Sequence, residues 1–595
     1  MSAPVEIDYL VVGAGPSGAS LAAFLSQNGL KGLVIARAPG TADTPRAHVF
    51  SAFALETLRD IGLEKDAMGH ATHSDMFQSF RWCRSMIGEE YGKVLAWGAH
   101  PDSKRDLAKA SPCEYLDLPQ SYLEPILVRY ASTNGFKFRF STQLENIETI
   151  PGSSDSLCTI RDRISDNVFQ IRAKYVFGAD GARSKVAENL ELKFITEPRE
   201  GTAVNVIMKA DLSHHIPKER YAGLHNIVQP DRKIFPQVVC LFRLIRPWNE
   251  WILVCNSEGE SDDFKNLTPK SPELLDLVHE CIGSKDVDVE ILRLDPWIVR
   301  ESVAEAYSVE GRNVFILGDA AHRHPPAHAN GSNTCVQDAY NLAWKVAYVA
   351  KGLAGRKLLE SYNIERQPTG ALLVREANDQ MRAHLRAWGA LGGFSGPEEG
   401  MKQIAELSEA SAEGEKRRQE LHDALEDKRR ECENIGFSYN QWYESSAVYL
   451  DDEPSPRPAL LGDPVVNIRI SSYPGGRLPH AWLDIPTRRK LISTHDLAGH
   501  GAFCLFIGHG GDAWRTAAAN ISRTTGIPIN TYGIGHGLDY IDVYRDWHTS
   551  REVEYDGCVL VRPDRFVAWR SVKIAEDCEG KLDQVLTKIL SRESL

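Results

Sequence analysis

The chain has 595 residues, more than one hydrophobic core usually organises, so two or three domains are expected. Hydrophobic residues make up 43% and charged residues 25%, which excludes a collagen-like, rod-like or largely disordered chain. Acidic residues outnumber basic ones by 81 to 68, for a net charge of −13 without a compensating basic stretch; nucleic acid is not an expected partner.

The N-terminal MSAPVEIDYLVVGAGPSG has no basic region and turns polar soon after Leu10, so neither a secretory signal nor a membrane anchor is expected. Residues 7–12 form a short apolar run that leads into Gly13, then into helical spacing at Leu21, Ala22 and Leu25, then into a second run at Leu33 to Ile35. That order of strand, Gly-rich turn, helix and strand opens a doubly wound α/β domain. Two later runs, Tyr175 to Phe177 and Val314 to Leu317, each end in a Gly- and Asp-containing turn and are expected in the same sheet. Between them, Leu192 to Asp295 alternates apolar and polar residues, as an antiparallel sheet with one covered face does.

The segment Gln337 to Leu353 places Leu342, Val346, Val349 and Leu353 on one helical face. Near Gly393 the composition becomes highly charged, with Leu421, Leu425 and Cys432 at helical spacing; this reads as a solvated helical connector. Asp451 to Pro458 (DDEPSPRP) reads as an exposed linker. A small C-terminal α/β unit follows, with strands at CLFIG and CVLVRP around a helix near Trp514 to Ile521. Eleven cysteines without a Cys-x-x-Cys pair point to reduced thiols and a cytoplasmic setting.

Gly13-Ala14-Gly15-Pro16-Ser17-Gly18 fits G-x-G-x-x-G between a strand and a helix, the context in which glycines let a dinucleotide pyrophosphate approach a helix N-terminus. The acid that normally holds the ribose hydroxyls is replaced by Ala36, followed by Arg37, so the fingerprint alone leaves the dinucleotide undecided.

Gly178-Ala179-Asp180-Gly181-Ala182-Arg183-Ser184 and Gly318-Asp319-Ala320-Ala321-His322, following that fingerprint in order, decide it. The set resembles the single-component flavoprotein aromatic hydroxylases, and in detail their phenol hydroxylase branch with its chlorophenol monooxygenases. The resemblance implies FAD as cofactor and NADPH or NADH as co-substrate. It implies that Gly13, Gly15, Gly18 and Arg37 serve the adenylate half, that Asp319 and Gly318 meet the ribityl chain, and that Pro325 lies against the isoalloxazine. It further places the backbone of Gly331, Ser332 and Asn333 at the pyrimidine edge, Arg46 near the flavin, Gln120 on the ribityl chain and Asp180 in a motif shared by flavin and nicotinamide.

His322, His324 and His328 beside Asp319 allow a metal reading, but no metal is expected there given the surrounding flavin motif. His48 falls where the family places a phenol-binding aspartate, and a neutral imidazole there is a candidate proton acceptor for the phenol; the bland alternative is a loop histidine bonded to backbone. Tyr221 is the second catalytic candidate. Phe242, Trp248, Trp251 and Trp297 are pocket candidates, although large aromatics mostly fill cores.

The expected fold is α/β: a Rossmann-like FAD-binding domain (residues 1–190 and 296–395) with an inserted antiparallel-sheet substrate domain (191–295). A charged helical connector (396–454) leads to a thioredoxin-like domain (455–595) that lacks a redox cysteine pair. The expected function is hydroxylation of a phenolic ring, ortho to its hydroxyl, with NAD(P)H and O2 and with oxygen carried at flavin C4a. Decarboxylative hydroxylation, Baeyer–Villiger insertion and a non-catalytic flavin-binding protein are the alternatives. The expected partners are a small phenol and O2, with no membrane and no nucleic acid; a homodimer stays open.

Overall fold

The computed structural model describes residues 3–197, 201–236, 238–257, 264–298, 301–485 and 491–592. The apolar run at the N-terminus forms the strand Val5–Val12, which pairs in parallel with Gly32–Ile35 on one side and with Val168–Gly178 on the other. Val314–Ile316 adds in parallel beside Val168–Gly178, so the two later runs lie in the first sheet. Helix Pro16–Gln27 covers this sheet and packs on helix Gly331–Ala350. The open ends of three parallel strands, after Val12, Gly178 and Ile316, therefore converge on one crevice, where doubly wound folds bind ligands.

The second sheet has seven strands, in the order Val289–Ile298, Thr202–Ala210, Glu250–Ser257, Val239–Arg246, Leu224–Ile227, Ser79–Cys83 and Glu90–Leu95. Its last two strands come from well before residue 191, so the substrate sheet is not confined to the inserted segment. Leu224–Ile227 also runs parallel to Ser79–Cys83, making the sheet mixed where alternation alone suggested a purely antiparallel one. One face is covered by helix Pro272–Ile282 and a core containing Phe242, Trp251, Leu253 and Leu277. Side chains alternate across a pleated strand, so Arg243, next to Phe242, projects to the other face, toward the flavin domain.

The charged segment differs from a solvated connector. Helix Ala412–Cys432 packs on helix Glu360–Ala390 and on the edge strand Glu90–Leu95. It buries Leu421 and Cys432, and Leu425 fills the space where Gly92 lacks a side chain. Asp451, Asp452 and Glu453, expected in a free linker, instead pair with Lys588, Lys581 and Arg570 of the C-terminal unit.

That unit contains a four-stranded sheet in the order Ile529–Gly533, Phe503–Ile507, Cys558–Val561 and Val567–Ser571. Helices Asp512–Thr525 and Cys578–Ile589 pack together against it. Trp344 and Tyr348 of helix Gly331–Ala350 enter the same core as Phe503, Trp514 and Trp569. Beside this core lies a fully buried polar network: Arg562 donates to both oxygens of Glu365 at 2.7 and 2.9 Å, and Lys345 donates to Glu365 at 2.7 Å. Breaking such a network by removing one partner costs about 3–5 kcal/mol, so the tail is anchored to the flavin domain. No helix among the described residues is long and apolar enough to cross a membrane.

Candidate active site

The three fingerprint glycines do different work. A Cβ on Gly13, whose φ is +110°, would sit 2.1 Å from the Ala179 carbonyl, and one on Gly18 would sit 2.0 Å from the Gly13 carbonyl. Both are forced by backbone packing. A Cβ on Gly15 would meet nothing closer than Glu124 at 3.9 Å, so this position is kept bare on the side of the crevice. Helix Pro16–Gln27 has no side-chain cap, which leaves the N–H groups of its first turn for an anionic ligand. This arrangement fits a dinucleotide pyrophosphate.

The second and third motifs stand at the ends of neighbouring strands. Gly318 has φ +61°, and a Cβ there would meet Ser17 Oγ at 1.9 Å. Asp319 follows, exposed toward the crevice, a suitable acceptor for sugar-alcohol hydroxyls. Asp180 is different: its carboxylate accepts from Ser184 Oγ and the Lys185 amide, each at 2.6 Å. It therefore holds the start of helix Lys185–Asn189 and orders the loop.

Helix Gly331–Ala350 also begins without a side-chain cap, so the Gly331 and Ser332 amides are suited to a partly negative carbonyl of the isoalloxazine. The Asn333 side chain is committed elsewhere. It is 1% exposed, accepts from the Ser51 amide at 2.8 Å, and donates to the Val49 and Ala329 carbonyls at 3.0 and 2.8 Å. Pro325 is buried in the preceding loop, and its carbonyl accepts from His324 Nδ1 at 2.6 Å. Arg37 lies exposed at the end of the second strand, and Arg46 is exposed on the loop before His48. Gln120 opens helix Gln120–Thr133 and donates to Glu124 at 2.6 Å, leaving its carbonyl oxygen for a ligand.

The three motif histidines diverge. His322 pairs with Asp338 at 2.9 Å, itself bonded by Arg366 at 2.8 Å. His324 bonds the Pro325 carbonyl, and His328 packs edge-on against Phe437 at 4.9 Å. Burial pushes the His324 and His328 imidazoles down to about 4 and about 3, so both are neutral parts of the loop. No group of metal-holding geometry occurs among the described residues.

His48 gains a partner that no motif announces. Val49–Phe50 pairs antiparallel with Leu116–Asp117, Val49 opposite Asp117, and the Leu118 amide donates to the His48 carbonyl at 2.7 Å. This short ladder brings His48 Nδ1 within 2.9 Å of Asp117 Oδ1. Asp117 is fully buried and His48 is 10% exposed. A carboxylate only accepts, so Nδ1 carries the proton and Nε2 the lone pair. Burial and the nearby Arg243 guanidinium lower the His48 pKa, against an opposing pull from Asp117, so the ring is a neutral base at neutral pH.

Arg243 donates to the Pro45 and Arg46 carbonyls and so ties the substrate sheet to the loop that carries His48. Burial lowers its pKa to about 10. Trp97 stands edge-on to His48 with ring centroids 6.4 Å apart, and itself packs against Phe77 and Phe80, giving this side an aromatic wall.

Tyr221 is not part of this cluster. Its ring packs on Trp248 at 4.3 Å, and both belong with Phe242 and Trp251 to the core on the opposite face of the sheet. The pleat phase, which composition does not reveal, puts Phe242 and Trp251 behind the sheet, and Tyr221 and Trp248 pack onto them from the adjoining turns. Trp297 alone of the aromatic candidates shares a face with Arg243 and bonds Asn205 at 3.1 Å.

Residues 6–377 match the family model described as "FAD binding domain", and 471–592 match "Aromatic-ring hydroxylase, C-terminal". The chain belongs to the FAD-binding aromatic-ring hydroxylases. Phenol 2-monooxygenase of Pseudomonas sp. (strain EST1001) is 38% identical, with 98% of this chain and 93% of the relative covered. 2,4-Dichlorophenol 6-monooxygenase of Cupriavidus pinatubonensis (strain JMP 134 / LMG 1197) is 36% identical, with 100% and 98% covered. Among solved structures, the flavin-dependent monooxygenase PieE in complex with FAD and substrate has a TM-score of 0.92 at 33% identity, with 99% of this chain and 100% of that chain covered. The hydroxylase is thus an FAD-dependent monooxygenase. Its Asp117, Arg243 and Trp97 and the Asn333 side-chain bridge lie outside the recognisable motifs; only the ladder between distant segments brings Asp117 to His48.

Proposed function

We propose that the enzyme hydroxylates a small phenol at the carbon ortho to its hydroxyl, consuming NAD(P)H and O2. The observation that carries this reading is the buried His48–Asp117 pair, which presents an unprotonated Nε2 beside an aromatic wall. The phenol and chlorophenol substrates named for the relatives that match over nearly the whole chain support it.

FAD, when bound, supplies the activated oxygen. Gly13, Gly15 and the first turn of helix Pro16–Gln27 would hold its pyrophosphate, Asp319 and Gln120 its ribityl chain, and the Gly331 and Ser332 amides its pyrimidine edge. His48 Nε2 takes the phenolic proton. The resulting phenolate is the stronger carbon nucleophile, because its oxygen pushes charge onto the ortho carbon. Asp117 fixes the tautomer and stabilises the imidazolium, as a carboxylate behind a catalytic histidine does. Trp97 and its aromatic neighbours exclude water from the reacting ring.

The C-terminal unit, β-α-β followed by β-β-α in one mixed sheet, supports a thioredoxin-like reading. With no dithiol, its task is structural. Eleven free, buried cysteines fit a reducing, cytoplasmic setting. The test is a panel of phenols scored for both stimulated NAD(P)H oxidation and product mass. A catechol carrying one added oxygen is expected; lactone formation, loss of carbon dioxide, or oxidation without any oxygenated product overturns the assignment.

A further inference from the structure

A second polar site lies at the joint between the flavin domain and the tail, away from the His48–Asp117 pair. Arg477 is 6% exposed, and its guanidinium lies 3.4 Å from the ring centroid of Phe53. One of its nitrogens, Nη2, pairs with Glu56. Its Nε and Nη1 are buried without a partner. Arg477 lines a cavity of about 20 Å3 together with Arg469, His480, Ser471, Trp442 and Tyr439, room for a single water-sized guest.

Two more buried nitrogens of lining residues, Arg469 Nε and His480 Nε2, also lack partners. The proton on His480 can be assigned. Ser493 Oγ accepts from the His495 amide at 3.0 Å and lies 2.8 Å from His480 Nδ1. Nδ1 is the one acceptor within reach of the serine hydroxyl among the described residues, so the hydroxyl donates to Nδ1 and Nε2 carries the hydrogen. All four unpartnered nitrogens are donors.

A water molecule accepts two hydrogen bonds and would leave two of these donors unmet, each costing about 1–3 kcal/mol. A halide can accept from three of them, one nitrogen of the Arg477 guanidinium together with Arg469 Nε and His480 Nε2, because Nε and Nη1 of Arg477 aim their hydrogens in different directions. Charge points the same way. Glu56 answers Arg477 and also accepts from Ser111 Oγ and Tyr439. Glu552, behind Ser471, is taken by Arg570. Arg469 has no carboxylate partner among the described residues, which leaves the cavity one positive charge in excess. We propose that this cavity binds one monovalent, halide-sized anion that clamps the tail to helix Ala52–Asp60, whose chain enters directly from the His48 ladder.

The test uses the full-length, FAD-loaded enzyme. Its melting temperature is measured at constant ionic strength while sodium gluconate is exchanged for sodium chloride or bromide. A saturable rise of about 2–4 °C with either halide is expected from ordinary binding linkage. Arg469→Gln should abolish the rise while keeping FAD content and hydroxylation. Crystals of the unaltered enzyme grown in bromide should show an anomalous peak between Arg469 and Arg477. Equal melting temperatures in gluconate and halide, a halide shift that survives in Arg469→Gln, or density for water without anomalous signal each overturns the proposal.

Discussion

Asn333 Nδ2 donates to the Val49 carbonyl at 3.0 Å, which joins the start of the long flavin-domain helix to the strand that follows His48. The same side chain accepts the Ser51 amide, so one buried amide sets the spacing between two halves of the site. Asn333→Ala would leave the Ser51 N–H and the Val49 carbonyl buried without partners, at about 1–3 kcal/mol each. The variant is expected to melt several degrees lower and to retain FAD. It should convert less of its NAD(P)H into hydroxylated product, as measured by the ratio of product to cofactor consumed.

The His48–Asp117 pair fixes a pH profile. Because burial and Arg243 depress the His48 pKa, the base is already unprotonated at neutral pH. Hydroxylation should be flat from neutrality upward and should fall in acid as the ring gains a proton. Asp117→Asn would offer an amide donor to Nδ1, turning the imidazole so that Nε2 carries the hydrogen. A rate lower by about 10²–10⁴-fold at pH 7 is expected, with recovery as pH approaches the pKa of the phenol itself. A profile that matched the unaltered enzyme would remove His48 from the proton path.

Gly15 and Gly18 separate binding from folding. Gly15→Ala places its methyl in open space within the protein, so the variant should fold and lose FAD. Gly18→Ala drives its methyl into the Gly13 carbonyl and should fail to accumulate as folded protein. Circular dichroism and flavin absorbance of the two purified variants distinguish these outcomes.

Glu433 offers a stability readout. It is 1% exposed, and burial pushes its carboxyl up to about 7. The folded state therefore holds this proton more tightly than the unfolded chain, so its contribution is fully present below about pH 4.5 and is lost as pH rises through 7. Glu433→Gln, which cannot ionise, should match the unaltered enzyme near pH 4.5 and exceed it by about 3 kcal/mol at pH 8, measured by urea unfolding at both values.

Local chemistry was legible in the sequence; long-range placement was not. Gly13, Gly15 and Gly18 could be read because a tight turn and a bare backbone leave their mark within six positions. The parallel strands at Tyr175 and Val314 were visible as short apolar runs ending in Gly or Asp. Asp117 was not visible, because its role depends on a two-residue ladder to His48 across a long stretch of chain. Tyr221 was misplaced because it stands in a turn before its strand, where packing on Trp248, and not residue type, decides which core it meets. The charged helix looked solvated because Gly92, over which Leu425 packs, lies hundreds of residues upstream.

Trp344 and Tyr348 share a core with Phe503 of the tail, and this arrangement has a consequence during synthesis. At ordinary translation speeds the ribosome takes roughly 10–30 s to travel from these two rings to Phe503. Throughout that interval a newly made helix displays large apolar side chains whose cover in the tail has yet to emerge. A nascent enzyme of this kind is a ready client for a chaperone, and chains stalled before the last hundred residues are the ones most prone to clump.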